Sequence, residues 1–99
     1  MMINPAEILS PFRAQIDTLD DQIVDLLIKR FKVVRQVAVI KHQHKIPSVL
    51  EDRLKQVIDR VAARAGEANE DMVVEIYALI LAVACDLEDE VIDGNKKFQ

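Results

Sequence analysis

The sequence predicts an all-α fold: three helices, long, short and medium in chain order, built into a homodimer around the first of them. Two observations carry the helical part. The 99 residues include only two glycines and three prolines, so few turns are available, and apolar residues recur in steps of three and four. The third observation is length. A first helix of about 33 residues would extend roughly 45–50 Å at 1.5 Å per residue, against a radius of gyration of about 13 Å for a compact chain of this size. Such a helix overhangs its own globule, and an apolar stripe along it is stable in water only beneath a second chain. Antiparallel pairing across a twofold axis is the simplest closed arrangement.

The first helix is predicted over about 11–43. Ser10 and Pro11 read as N-cap and first helical residue, and no Gly or Pro follows before Pro47. Phe12, Ile16, Leu19, Ile23, Leu26, Arg30, Val33, Val37 and Ile40 form a heptad seam with one arginine set into it. Leu27, Phe31, Val34 and Ala38 broaden it. The second helix is predicted over about 49–65, opened by a Ser48/Glu51 capping box after Pro47 and closed by Gly66. Its apolar face is Leu50, Leu54, Val57, Ile58, Val61 and Ala65. Asn69 then caps a third helix whose face runs from Met72 through Val73, Ile76, Tyr77, Ile80, Val83, Ala84 and Leu87 to Val91, with Gly94 as its end and NKKFQ as a frayed tail. With no repeat, low-complexity run or long linker, residues 1–99 read as a single domain.

Thirteen basic against 17 acidic residues give a net charge of −4. That balance argues against a nucleic-acid or anionic-membrane partner, which would need a basic field over the domain. Arg35 and Lys41 interrupt the greasiest part of the first helix, so no run reaches the ~20 apolar residues of a membrane span. The start MMINPAEILSPF lacks the basic flank and apolar run of an export signal. Cys85, the single cysteine, has no partner for an internal disulfide, and the expectation is a cytoplasmic protein. His42 and His44 lie two apart and cannot converge on one helical face, so no metal site is expected. No glycine fingerprint or P-loop is present, and no cofactor is predicted.

The chemistry lies where polar residues fall among apolar ones. Between Asp25 and Glu51 the chain carries no acidic residue but has Lys29, Arg30, Lys32, Arg35, Lys41 and Lys45. Lys29, Lys32 and Arg35 lie off the seam and read as a solvated face. Arg30 and Lys41 are eleven residues apart, which places them within about 20° on one face and some 16 Å apart. An arginine in a heptad core either sets register through an ion pair or holds a ligand. Arg53 flanks the apolar face of the second helix, where it either snorkels outward or points into a site. Arg13 is poorly placed against the dipole of the helix it opens. It lies about 25 Å from Arg30 along that helix, yet an antiparallel partner would bring it to the other protomer's Arg30, Lys41 and Arg53. Four cations about one cavity fit a compact ligand with two carboxylates or phosphates. Glu88 continues the line Tyr77, Leu81, Ala84 and reads either as a partly desolvated carboxyl or as part of the solvated acidic run Asp86, Glu88, Asp89, Glu90.

The order and spacing of these cations resemble the all-helical chorismate mutases, a family of intertwined three-helix dimers that includes the isochorismate pyruvate lyases. The resemblance covers nearly the whole chain. Its most specific parts are FRAQIDTLDDQIVDLLIKR, which carries the family's Arg, Ile-Asp-x-Leu-Asp and Arg, and VAVIK, which carries the first helix's lysine. It implies that Arg13 reaches the substrate in trans, that Arg30 and Arg53 hold its carboxylates, and that Lys41 donates to the ether oxygen. Glu88 occupies the place of a second ether-oxygen donor, usually Gln in bacterial members and Glu in fungal ones, and would donate only when protonated. Val37, Leu81 and Cys85 supply the apolar lining. Leu50 and Leu54 stand where many mutases carry carboxylates for the ring hydroxyl, and Ala84 replaces a serine near a substrate carboxylate. These departures fit isochorismate, a 4-amino analogue, or a mutase that reads the ring differently.

The expected activity is therefore that of a chorismate mutase, with Lys41, Glu88 and Arg30 as catalytic residues working by positioning and electrostatics. The alternatives are an isochorismate pyruvate lyase, a 4-amino-4-deoxychorismate mutase and a non-enzymatic helical dimerisation module.

Overall fold

A computed structural model describes residues 4–97, with side chains through residue 94. Among these residues the chain is entirely helical, with α1 at Pro5–Gln43, α2 at Glu51–Ala65 and α3 at Glu70–Lys97. It divides into two compact units, Met1–Arg30 and Phe31–Gln99.

In the first unit α1 begins at Pro5, six residues before the expected Pro11. Asn4 is the cap: its Oδ1 accepts the Ala6 N–H at 3.0 Å, and its carbonyl accepts the Ile8 N–H at 3.2 Å. Asn4-Pro5 carries the same cap-and-proline signal as Ser10-Pro11, and Glu7 in the first turn complements the helix dipole. Pro11 consequently sits inside the helix, at the cost of one backbone hydrogen bond. Phe12, Ile16, Leu19, Ile23 and Leu26 point along one stripe and are all more than half exposed.

The second unit contains a packed core. Val57 and Val61 of α2 meet Leu81 of α3, flanked by Leu54, Ile58, Val73 and Tyr77. Gly66 closes α2 as expected, with φ of 83° and its N–H on the Ala62 carbonyl at 3.3 Å. Three expectations need correction. The Ser48/Glu51 capping box does not form: α2 starts at Glu51, with Leu50 in the N-cap position and no side-chain cap, because the Ser48 hydroxyl bonds to α3 instead. Asn69 provides its carbonyl to the Val73 N–H at 3.0 Å while its side-chain amide turns back to Ala65. Finally, α3 does not stop at Gly94 but runs to Lys97, so Asn95, Lys96 and Lys97 of the expected frayed tail are helical. Gly94 is not left-handed, and a glycine without that turn weakens a helix without ending it. Phe98 and Gln99 lie outside the described residues.

At its C-terminus α1 closes in a Schellman turn. The Ile46 N–H bonds to the Lys41 carbonyl at 2.8 Å and the Lys45 N–H to the His42 carbonyl at 3.3 Å. Lys45 occupies the left-handed position, with φ of 56°, that glycine ordinarily fills.

Candidate active site

Lys41 and Glu88, far apart in sequence, meet inside the second unit. Lys41 Nζ lies 2.9 Å from Glu88 Oε1, and the two side chains are only 12% and 7% exposed. Lys41 reaches this position because it sits on the same α1 face as Ala38, which is fully buried. Glu88 is buried because it follows Leu81 and Ala84 at helical spacing on the packed face of α3. Spacing alone left Glu88 open to a solvated reading, which its burial removes.

The contact is an ion pair by distance, without hydrogen-bond alignment, and Glu88 Oε1 has no hydrogen-bond donor. Lys41 gives one N–H to the Ser48 carbonyl at 2.9 Å. An ammonium carries three donors, so capacity remains for a further acceptor. Beside it opens a cavity of about 440 Å³ lined by Val33, Gln36, Val37, Ile40, Lys41, Ile46 and Leu50. That size is typical of small-molecule pockets, as is an apolar wall interrupted by few polar groups.

The other expected residues distribute as follows. Val37 and Leu50 form part of the cavity wall. Leu50 also borders a second hollow of about 490 Å³, shared with Glu51, Asp52 and Arg53. Arg53 is exposed there, its Nη1 donating to Gln56 Oε1 at 2.6 Å. Leu54 turns away to the core beside Val57. Leu81 and Ala84 are buried on α3. Cys85 is partly buried; desolvation, followed by the Glu88 carboxylate, pushes its thiol pKa above the ordinary 9.0, which favours the neutral thiol. Arg13 is exposed on the first unit's helix. Arg30, at that unit's end, is half-buried, and its Nη1 is buried with no hydrogen-bond partner. An orphaned buried donor costs about 1–3 kcal/mol, and more when charged, so this one favours an anionic acceptor. Lys29, Lys32 and Arg35 are exposed, as their off-seam positions imply.

Sequence reasoning missed Gln36, Ile46, Ser48 and Asp89 as neighbours of this site. Gln36 was accessible to it, since Val33, Gln36, Val37, Ile40 and Lys41 follow the i, i+3, i+4, i+7, i+8 pattern of one face. Ser48 donates to Asp89 Oδ1 at 2.6 Å, a pairing for which the linear sequence holds no signal.

Among known proteins the chain is similar to a 4-amino-4-deoxychorismate mutase of Streptomyces venezuelae, 31% identical over 84% of this chain and 82% of that protein. It is similar to a chorismate mutase of Methanocaldococcus jannaschii, 30% identical over 92% of this chain and 98% of that protein. The T-protein of Haemophilus influenzae is 31% identical over 71% of this chain, which spans only 19% of that longer protein. No solved structure matches significantly. The profile described as chorismate mutase type II matches residues 12–89, a span that takes in Arg13, Arg30, Lys41, Arg53 and Glu88. A match of that extent, together with full-length similarity to a mutase of the same size, makes this chain a member of the type II chorismate mutase family.

Proposed function

We propose that two copies of this chain form a cytoplasmic, intertwined homodimer that rearranges chorismate to prephenate without a cofactor, each copy contributing residues 1–99 as one domain. The observation that carries the reading is the Lys41–Glu88 pair, 2.9 Å apart, largely withdrawn from water and set against an apolar cavity.

The reaction is a pericyclic shift. A carbon–carbon bond forms between the enolpyruvyl methylene and the ring while the ether carbon–oxygen bond breaks, and no proton or hydride leaves the substrate. The chain therefore needs only to hold the side chain over the ring and to stabilise the negative charge that grows on the ether oxygen. Lys41 offers a free N–H to that oxygen. Glu88, the charged partner of Lys41 in the free protein, supplies a second donor only if its carboxyl takes up a proton when substrate binds. Arg30, whose Nη1 is buried without a partner, takes one substrate carboxylate; Arg53 holds the other, and Arg13 enters from the second protomer. The dimer is supported by the exposed stripe Phe12, Ile16, Leu19, Ile23, Leu26, which a second copy of the same stripe would cover.

Leu50 on the cavity wall favours a second reading at the level of substrate, since a leucine offers no hydrogen bond to a ring hydroxyl; one relative is itself named 4-amino-4-deoxychorismate mutase. The deciding experiment incubates purified protein with chorismate, isochorismate and 4-amino-4-deoxychorismate in parallel. Prephenate formed fastest from chorismate supports the first reading. Predominant salicylate and pyruvate would replace it with a lyase, preference for the amino analogue with the second mutase, and no turnover at all with a dimerisation module. Within the mutase reading, Glu88→Gln keeps a side-chain donor at that position and should retain turnover, whereas Glu88→Ala should lower it. Wild-type turnover in Glu88→Ala would remove Glu88 from that role.

A further inference from the structure

We infer that Ser48 is a positioning residue for Lys41, with Asp89 as its anchor. The inference rests on the functional reading above, because the group being positioned is the proposed ether-oxygen donor. Lysine has four rotatable side-chain bonds and loses about 2 kcal/mol of rotamer entropy when fixed. A lysine that must present one N–H to a particular point in a cavity needs its other donors held. Lys41 is held by one hydrogen bond, to the Ser48 carbonyl at 2.9 Å, and by charge attraction to Glu88 Oε1 at 2.9 Å, which takes up no N–H.

The Ser48 carbonyl is itself fixed from two sides. Towards α1, the Schellman turn binds the Ile46 N–H to the Lys41 carbonyl at 2.8 Å, and Pro47 then restricts both its own φ and the backbone of Ile46. The return from α1 thus holds the backbone of Lys41 at one end and its ammonium at the other. Towards α3, the Ser48 hydroxyl donates to Asp89 Oδ1 at 2.6 Å. Asp89 follows Glu88 directly, so one serine ties the carbonyl that holds the ammonium to the helix turn that carries its counter-charge.

The hydroxyl had a local alternative. A capping box with Glu51 would have added about 1 kcal/mol to α2, yet α2 begins without a side-chain cap. The serine is used to join the loop to α3 beside the ion pair.

The test compares Ser48→Ala and Asp89→Ala with their conservative counterparts, Ser48→Thr and Asp89→Asn, which keep the hydroxyl donor and the Oδ1 acceptor. Positioning predicts that each alanine variant lowers kcat by about tenfold with KM within twofold of wild type. The double alanine variant should lose no more than either single one, and both conservative variants should recover kcat. Unchanged kcat in Ser48→Ala, or losses that add in the double variant, would overturn the inference. A readout free of turnover separates this from the functional reading: 15N relaxation of the Lys41 ammonium should report greater mobility in Ser48→Ala. Equal mobility there overturns the positioning role, whereas wild-type protein that turns over no substrate overturns the mutase reading alone.

Discussion

The two units of this chain carry the same kind of pattern and put it to different use. Among the described residues of the first, from Asn4 to Arg30, none is buried, although Phe12, Ile16, Leu19, Ile23 and Leu26 recur at helical spacing. The second holds Ala38, Val57, Val61, Leu81, Ala84 and Glu88, all buried. An amphipathic stripe thus reports that a helix needs cover and is silent about where the cover comes from. In α2 and α3 it comes from the same chain; for the start of α1 a second copy is the proposed source. The division also bears on the proposed chemistry. Desolvation requires a packed surround, and the withdrawn ion pair lies in the unit that has one.

The largest effect should come from removing the charge that this surround protects. Lys41→Ala deletes the proposed donor to the developing oxyanion, and the loss of such a donor lowers turnover about 10²–10³-fold. It also leaves the Glu88 carboxyl buried without its counter-charge, at roughly 3 kcal/mol in stability. Activity assays and chemical denaturation of the same variant read the two effects separately. Loss of activity with unchanged stability would mean that the second unit does not depend on the pair for its packing.

A smaller effect, confined to the other unit, tests the source of its cover. Leu19 is 56% exposed in the single chain, so Leu19→Glu would be harmless in a monomer and would solubilise it. In the proposed dimer it places two unpaired carboxylates in an apolar interface. Association should weaken by at least about 100-fold, which corresponds to ~2.7 kcal/mol, with loss of the helical signal from the unpaired stripe. Sedimentation velocity across a concentration series decides; wild-type protein that sediments as a monomer at every concentration would end the dimer reading.

How far the sequence could be read follows the same division between pattern and partner. Helix number and type, the end of α2 at Gly66 and the alignment of Leu81, Ala84 and Glu88 on one line of α3 were legible because each depends on periodicity or on a single special residue, whereas the burial of Glu88 was not, since spacing fits a solvated glutamate equally well. The family was legible from the Arg13, Ile-Asp-x-Leu-Asp, Arg30, Lys41 series, which the profile match over 12–89 bears out. What failed were choices between equivalent local signals. Two Asx/Ser-Pro pairs could open α1, and the earlier one does; Ser48 could cap α2 or bridge to α3, and it bridges. Such choices are settled by contacts distant in sequence, which no window of ten residues contains.

The smallest expected effect sharpens the contrast between the units by altering the stability of one alone. Lys45 holds φ of 56° in the Schellman turn of the second unit, a conformation that costs a non-glycine residue about 1–2 kcal/mol. Glycine removes that cost but gains freedom in the unfolded chain, which returns part of the benefit. Lys45→Gly should therefore stabilise the protein by about 0.5–1 kcal/mol, a rise of roughly 3–6 °C in Tm for a domain of this size. Because the change lies outside the apolar stripe of the first unit, the dimer dissociation constant should stay within twofold of wild type. Unfolding followed at Tyr77, which packs on the core of the second unit, should shift while sedimentation does not. A Tm unchanged or lowered would show that the left-handed turn at Lys45 carries no strain for glycine to relieve.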